Sequence, residues 1–211
     1  MTDRWSTHAE AYRESEAHRE GPDLDLLVEW SEGARTVLDV ATGGGHVARR
    51  LREVGLDVVS CDRAPGMQPD VICQAEDLPF ADGSFDVVAC RIAAHHFADV
   101  RAAVSEMDRV SADRVLVVDN LYLGEAVEEA ERLRDPTHVR CYSEEEWQEL
   151  FAGAGLRVVA VERFPKGIEL EPWLERAGCT GEEAERVRGL LADRIADGRV
   201  TLERIALRGA K

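Results

Sequence analysis

The stretch Val37–Leu51 places the tightest constraint on how this chain can fold. It begins with aliphatic and β-branched residues, which are typical of a buried parallel strand, and Asp39 closes that run. Three glycines follow at Gly43–Gly45, and apolar residues then recur at helical spacing. Glycine lacks a Cβ, so the backbone can turn tightly there and a ligand can approach it closely. The stretch therefore predicts a strand, a glycine turn and a helix, which together suit a nucleotide-like ligand.

Short apolar runs alternate with helical segments through the rest of the chain. This alternation indicates βαβ units and a parallel sheet. Because no internal repeat or linker interrupts the 211 residues, we predict a single α/β domain over 1–211. The predicted strands after the first are Asp57–Cys61, Val71–Gln74, Phe85–Cys90, Arg114–Asp119, Leu156–Phe164 and a half-exposed Val200–Leu207. The predicted helices include 3–19, one capped by Asp23, Val100–Val110, Glu125–Leu133 and Glu144–Ala154, the last with a Ser143–Glu146 capping box.

Composition excludes several classes of protein. The formal charge of −16 opposes a phosphate backbone, so we expect no nucleic-acid partner. The five cysteines are odd in number and lack C-x-x-C spacing, which argues against a disulfide framework or a structural zinc site. No apolar run approaches the ~20 residues of a membrane span, and the polar N-terminus does not resemble a signal peptide. We therefore expect no membrane association and a reduced, cytoplasmic location.

The glycine turn by itself leaves two kinds of cofactor open. The spacing of Gly43, Gly45 and Ala48 also fits the dinucleotide-binding fingerprint. Asp62 follows the glycines at about the spacing at which that fingerprint has the acidic residue that binds the ribose. A nicotinamide-dependent oxidoreductase is therefore one interpretation. Asp39 favours another, because a carboxylate four residues before the first glycine is placed to hold a cationic amino group.

Taken together, several motifs resemble those of the class I S-adenosylmethionine-dependent methyltransferases, in particular the UbiE/COQ5-like or YcgJ-like small-molecule branch. These motifs are V-L-D-V-A-T-G-G-G-H at Val37–His46, the acidic strand end at Asp62, A-E-D-L-P-F-A-D-G-S-F-D at Ala75–Asp86, C-R-I-A-A-H-H-F-A-D at Cys90–Asp99 and E-R-L-R-D-P-T-H-V-R-C-Y-S at Glu131–Ser143. The resemblance covers nearly the whole chain. It implies a Rossmann-like sheet of seven mostly parallel strands, helices on both faces and an antiparallel last strand.

The resemblance also implies a set of residues that bind S-adenosylmethionine. Asp39 and the turn after it would hold the methionine portion, and Asp62 would accept both ribose hydroxyls. The family carries Asp or Asn where this chain has Gln74, which weakens the expected contact with the adenine amino group. The full set of expected cofactor-binding residues is Tyr12, Asp39, Ala41, Thr42, Gly43, Gly45, Asp62, Arg63, Met67, Gln74, Ala75, Glu76, Arg91 and Ile92.

Methyl transfer from a sulfonium needs in-line positioning and desolvation more than covalent help. A base that removes the proton of an acidic acceptor group would still accelerate the reaction. The candidate bases are His95, His96 and His18, and His138 and Asp119-Asn120 are further polar groups that could face the acceptor. No histidine–carboxylate cluster has ligand spacing along the chain, so we expect no metal site.

These observations predict methyl transfer from S-adenosylmethionine, with S-adenosylhomocysteine as product, to a small aromatic or otherwise apolar acceptor. A helical lid at 1–33 and an acceptor-side insertion at 121–142 would enclose that acceptor. Besides the oxidoreductase, a non-catalytic S-adenosylmethionine-binding protein stays open. The acceptor atom, the need for a base and the oligomeric state are left undecided by the sequence.

Overall fold

A mixed sheet forms the centre of the computed structural model, which describes residues 5–6 and 19–211. Within that part of the chain, seven strands lie side by side in the order β3-β2-β1-β4-β5-β8-β6, and a short β7 pairs with β8. The strands are β1 Thr36–Val40, β2 Asp57–Asp62, β3 Val71–Ile72, β4 Phe85–Arg91, β5 Ser111–Asn120, β6 Arg157–Glu169, β7 Ile195–Ala196 and β8 Arg199–Ala210.

Strand direction confirms the predicted fold class. The pairs β1–β2, β1–β4, β2–β3 and β4–β5 are all parallel, whereas β8 is antiparallel to both β5 and β6. The last strand is thus reversed and inserted between two others. This position explains why it is mostly buried from Leu202 to Leu207 rather than half-exposed as its alternating sequence predicted. Two neighbouring strands cover its edges.

Helices cover both faces of the sheet. They are α1 Pro22–Trp30, α2 His46–Glu53, α3 Val100–Val110, α4 Glu125–Arg134, α5 Glu144–Ala154, α6 Leu170–Ala177 and α7 Gly181–Leu190. One apolar cluster joins α3 and α5 to the sheet, with Leu38 from β1 and the fully buried Trp147 from α5. On the opposite face, α1 and α2 pack over Val37 and its neighbours. Successive residues of β1 therefore face opposite layers, as a parallel strand covered on both sides requires.

Local end signals set the bounds of several helices. The Asp99 side chain accepts the Ala102 N–H at the start of α3. At the start of α5, Ser143 and Glu146 form the predicted capping box, and Gly155 ends that helix with φ 96°. Both helices have the predicted bounds.

Helix α1 begins differently from its prediction. Gly21 is the N-cap, and the Asp23 side chain makes no capping bond. Asp23 is 2 % exposed and accepts hydrogen bonds from Arg91 Nε at 2.8 Å and Arg204 Nη1 at 3.1 Å. Burial alone would raise the pKa of this carboxyl, but the charges of the two arginines lower it below its ordinary value. The carboxylate therefore ties α1 to β4 and β8 instead of ending a helix.

The segment 121–142 contains α4 and the chain that leads to α5. Val127 and Ala130 of α4 pack in a third apolar cluster with Trp173 and Val187 of the helices after β6. Leu121 and Tyr142, at the two ends of the segment, form an isolated bridge. The segment thus leaves the sheet and returns to the same point. The predicted N-terminal helix 3–19 falls mostly outside the described residues, and no helix of residues 5–6 and 19–211 is long and apolar enough to cross a bilayer.

Candidate active site

A cavity opens where the parallel strands end, beside the glycine turn between β1 and α2. The carboxyl ends of parallel strands meet at one sheet edge, which is where ligands bind in folds of this kind. Most of the residues expected to bind the cofactor line this cavity, together with one of the expected bases. They are Asp39, Ala41, Thr42, Gly43, Asp62, Arg63, Met67, Ala75, Glu76, Arg91, Ile92 and His96.

Asp39 lies in the middle of the cavity wall on β1. It is 1 % exposed and accepts hydrogen bonds from Thr42 Oγ1 and, at 3.1 Å, from the Ala48 N–H. Burial, with a smaller contribution from the nearby Asp62 carboxylate, raises the pKa of Asp39 to about 7. The two hydrogen bonds fix the carboxyl group, and a cation bound beside it would favour its ionised form.

Asp62 ends β2 on the other side of the glycine turn. Its Oδ2 accepts the Gly43 N–H and its Oδ1 accepts the Ala64 N–H, both at 2.9 Å. With one N–H group bonded to each oxygen, the carboxylate is fixed at the end of β2. Asp39 and Asp62 thus share one cavity, with the turn between them.

Two of the four non-glycine residues with a positive φ in the described part of the chain lie at this edge. Ala41 has φ 54° and Ile92 has φ 55°, a region that residues with a Cβ seldom adopt. Both residues line the cavity, and the Ile92 N–H donates to the Val118 carbonyl at 2.7 Å. Strained backbone held in place by neighbouring structure is typical of binding sites. Gly45 is the N-cap of α2 and has φ 73°, so it forms part of the turn, but it is not among the residues that line the cavity.

Two of the expected cofactor-binding residues, Gln74 and Glu76, bond to other parts of the protein. Gln74 is exposed and is not among the cavity-lining residues; it forms a bridge with Asp77 instead. Glu76 does line the cavity, but its Oε1 accepts the backbone N–H of Ala98 at 3.0 Å and so ties the loop to the approach to α3. Tyr12 lies outside the described residues.

The structure separates the two adjacent histidines after β4. His96 lines the cavity, and its Nδ1 lies 3.0 Å from the Thr137 carbonyl oxygen. A carbonyl only accepts, so Nδ1 carries the proton and Nε2 is left with a lone pair. Burial, together with the neighbouring His95, holds the pKa of His96 well below its usual value. His96 is therefore a neutral imidazole at ordinary pH.

His95 lies behind His96 and is not among the lining residues. Its Nδ1 is 2.5 Å from Asp119 Oδ1, and its backbone N–H donates to Asp119 Oδ2 at 2.7 Å. Burial would lower the pKa of His95, but the Asp119 carboxylate raises it above the ordinary value. The two rings lie 4.1 Å apart between centroids, and His138 lies 5.5 Å from His95. His18 lies outside the described residues.

The sequence did not predict the remaining lining residues, apart from Gly44, which belongs to the predicted glycine turn. The largest are Trp5, whose ring meets His96 edge to face at 4.6 Å, and Phe97, which directly follows the histidine pair. Their position in the chain carries no signal that distinguishes them from ordinary core aromatics. The others are Gly44, His46, Val47, Cys61, Cys73 and Ala93.

Comparison with known proteins agrees with this geometry. Residues 38–118 match the methyltransferase domain family. The chain is 35 % identical over 207 residues to the uncharacterized methyltransferase YcgJ of Bacillus subtilis, covering 87 % of this chain and 82 % of that protein. The YcgJ crystal structure superposes with a TM-score of 0.82 at 29 % identity, covering 90 % of this chain and 97 % of that one.

A shorter match joins the chain to the demethylmenaquinone methyltransferase of Beutenbergia cavernae. The two are 42 % identical over 85 residues, which is 36 % of this chain and 35 % of that protein. Because this match covers only about a third of each chain, it does not assign a substrate to this protein.

Proposed function

Because this chain belongs to the class I S-adenosylmethionine-dependent methyltransferases, we propose that it binds S-adenosylmethionine in the cavity at the carboxyl edge of its sheet and methylates a small aromatic or otherwise apolar acceptor there. One observation carries the proposal above the others. Two buried carboxylates, Asp39 and Asp62, face one cavity from opposite sides of a glycine turn. The family membership also rules against the oxidoreductase that the glycine spacing left open.

The donor set fits this cofactor. Asp39 is placed to hold a cationic amino group, whose charge would favour the ionised carboxylate at a position where burial opposes it. Asp62, fixed by the Gly43 and Ala64 N–H groups, is placed to accept ribose hydroxyls. Met67 and Ala75 line the same cavity, and the resemblance to the family would place the adenine ring against the soft apolar Met67 side chain and the Ala75 backbone.

When bound, S-adenosylmethionine supplies a methyl group already activated by its sulfonium. The chain's own residues exclude water and orient the acceptor, and His96 receives the acceptor's proton on Nε2. Trp5 and Phe97 give the wall around His96 an aromatic character, which suits a flat apolar acceptor with one polar group. His95 and Asp119 act through His96 by fixing its position from behind.

Calorimetry with S-adenosylhomocysteine tests the cofactor part of the proposal. Asp62→Asn removes a charged acceptor, so we expect it to weaken binding by about 1.5–3 kcal/mol, the usual contribution of a hydrogen bond to a charged group. Asp57→Asn is the matched control, since Asp57 is exposed at the opposite end of the same strand. Equal affinities of the two variants, or heat from NADH in place of S-adenosylhomocysteine, would refute the assignment.

A second experiment tests the base. His96→Gln should leave the affinity for S-adenosylhomocysteine within about twofold and reduce methyl transfer to a phenolic or thiol acceptor by about 10²–10⁴-fold. Transfer is followed by the release of S-adenosylhomocysteine. Full transfer activity in this variant would remove His96 from the mechanism while leaving the cofactor site intact.

A further inference from the structure

Helix α4 and the segment that follows it bring three metal-binding side chains together away from the cavity. Glu128 lies on α4, and His138 and Cys141 lie on the chain between α4 and α5. One ligand atom from each residue lies within 4.8 Å of the other two. Their exposed fractions are 3 %, 7 % and 3 %, so the cluster is closed to bulk water. Sequence spacing gave no sign of it, because Glu128 and His138 are ten positions apart.

We propose that Glu128, His138 and Cys141 form a binding site for a divalent transition-metal ion of the zinc class. A carboxylate oxygen, an imidazole nitrogen and a thiolate sulfur are the three donor types that Zn²⁺ accepts, and the fourth position of a tetrahedral ion would be taken by one water that enters with it. Binding releases the Cys141 thiol proton to solvent. In the absence of a cation the donors bond to one another, with His138 Nε2 3.2 Å from Glu128 Oε2.

The hydrogen bonds within the cluster leave one ring nitrogen without a partner. Because the Glu128 carboxylate accepts, His138 Nε2 carries the proton and Nδ1 keeps a lone pair that could bind a metal ion. Glu128 Oε1 accepts the Cys141 N–H at 3.1 Å, so both carboxylate oxygens already have partners. His138 Nδ1, by contrast, is buried and has no hydrogen-bond partner in the described part of the chain. A buried polar atom without a partner costs about 1–3 kcal/mol, which points to a ligand that this network does not contain.

The surrounding charge also favours a cation. Three more buried carboxylates surround the cluster, and each is at most 4 % exposed. Asp119 and Glu131 act electrostatically on Cys141, and Asp135 is three positions before His138. Arg134 pairs with Glu131 at 3.1 Å, and His95 pairs with Asp119. Arg132 Nη1 lies 4.0 Å from Glu128 Oε2, so these groups offset part of the negative charge but leave Asp135 without a basic partner in the described ion pairs. The surplus of buried negative charge is costly without a counterion, and a dication would reduce it.

Metal binding would fix the segment that positions His96. Thr137 precedes His138, and its carbonyl oxygen is the partner of His96 Nδ1. An ion that joins His138 and Cys141 to α4 would hold this carbonyl in place. The site would thus support the cavity from behind without touching a bound ligand.

Cobalt absorption tests the proposal directly, with Co²⁺ alone as the probe. After treatment with a chelator, wild-type protein should bind one equivalent of Co²⁺ and develop a thiolate-to-cobalt charge-transfer band, which Zn²⁺ abolishes. Cys141→Ser should lose the band. Cys179→Ser is the matched control, since Cys179 is about equally buried but lies in the apolar cluster of Trp173 and Val187, and it should keep the band.

Glu128→Gln should weaken Co²⁺ binding by tenfold or more and should bind less zinc by elemental analysis. A wild-type protein that shows no charge-transfer band would overturn the proposal, and this result needs no variant to fold. A band that persists in Cys141→Ser but disappears in Cys73→Ser, which alters the half-buried cysteine of the cavity, would also overturn it. Binding of S-adenosylhomocysteine is measured separately, so a failed metal site leaves the proposed function untouched.

Discussion

Binding of S-adenosylhomocysteine should depend on pH through Asp39. The carboxyl has a pKa of about 7 because it is buried beside a second carboxylate. Only its ionised form attracts a cationic amino group, so affinity should rise as the pH rises through that value. If binding required a protonated histidine instead, the affinity would fall as the pH rises.

The size of the effect follows from the ionised fraction. With a pKa near 7, about one carboxyl in eleven is ionised at pH 6 and about ten in eleven at pH 8, so the affinity should fall about tenfold between pH 8 and pH 6, or about 1.4 kcal/mol. His96 should not contribute, because its pKa lies well below the usual value and its charge does not change in this range.

Isothermal titration calorimetry at half-unit pH steps measures this slope. Asp39→Asn keeps the size of the side chain and an acceptor for the Ala48 N–H, but it cannot ionise. We expect this variant to bind more weakly than wild type at pH 8 and to lose the pH slope. His46→Gln is the control for the other titratable ring in the cavity wall, and it should keep the slope. A flat wild-type profile, or a slope that survives in Asp39→Asn, would refute the role given to Asp39.

Two further predictions concern stability. Asp23→Ala leaves two buried guanidinium groups without this counter-charge and should cost about 3–5 kcal/mol in urea unfolding; Asp25→Ala in the same helix, whose partner is exposed, should cost less than about 1 kcal/mol. Gly209→Ala places a Cβ 2.6 Å from the Phe151 ring and should cost about 1–3 kcal/mol. Gly189→Ala, with open space around it in α7, should be neutral or stabilising by up to about 1 kcal/mol. Similar costs within either pair would contradict the packing described.

Sequence patterns predicted those features that depend on nearby residues. The bounds of α3 and α5 depend on the Asp99 cap and the Ser143–Glu146 capping box, and these residues lie within three positions of the groups they bond. The order of strand, glycine turn and helix is local in the same sense. The motif resemblance added the reversed last strand, which no local pattern reveals.

Features that depend on distant partners could not be predicted. Asp23 was predicted to cap a helix because Ser, Thr, Asp and Asn are favoured at the N-cap. Its hydrogen-bond partners, Arg91 and Arg204, lie 68 and 181 positions away in the sequence.

The pair His95-His96 illustrates the same limit within the candidate site. Adjacent residues of one type give identical signals in sequence, and their different environments come from elements that fold against them. Asp119, at the end of β5, binds His95 and draws it into the interior. Thr137, beyond α4, binds His96 from the other side and leaves its Nε2 as the acceptor. The proposed base in the cavity therefore depends on the segment after α4 as much as on β4. A substitution that loosens that segment should impair methyl transfer while the two carboxylates of the proposed cofactor site stay in place.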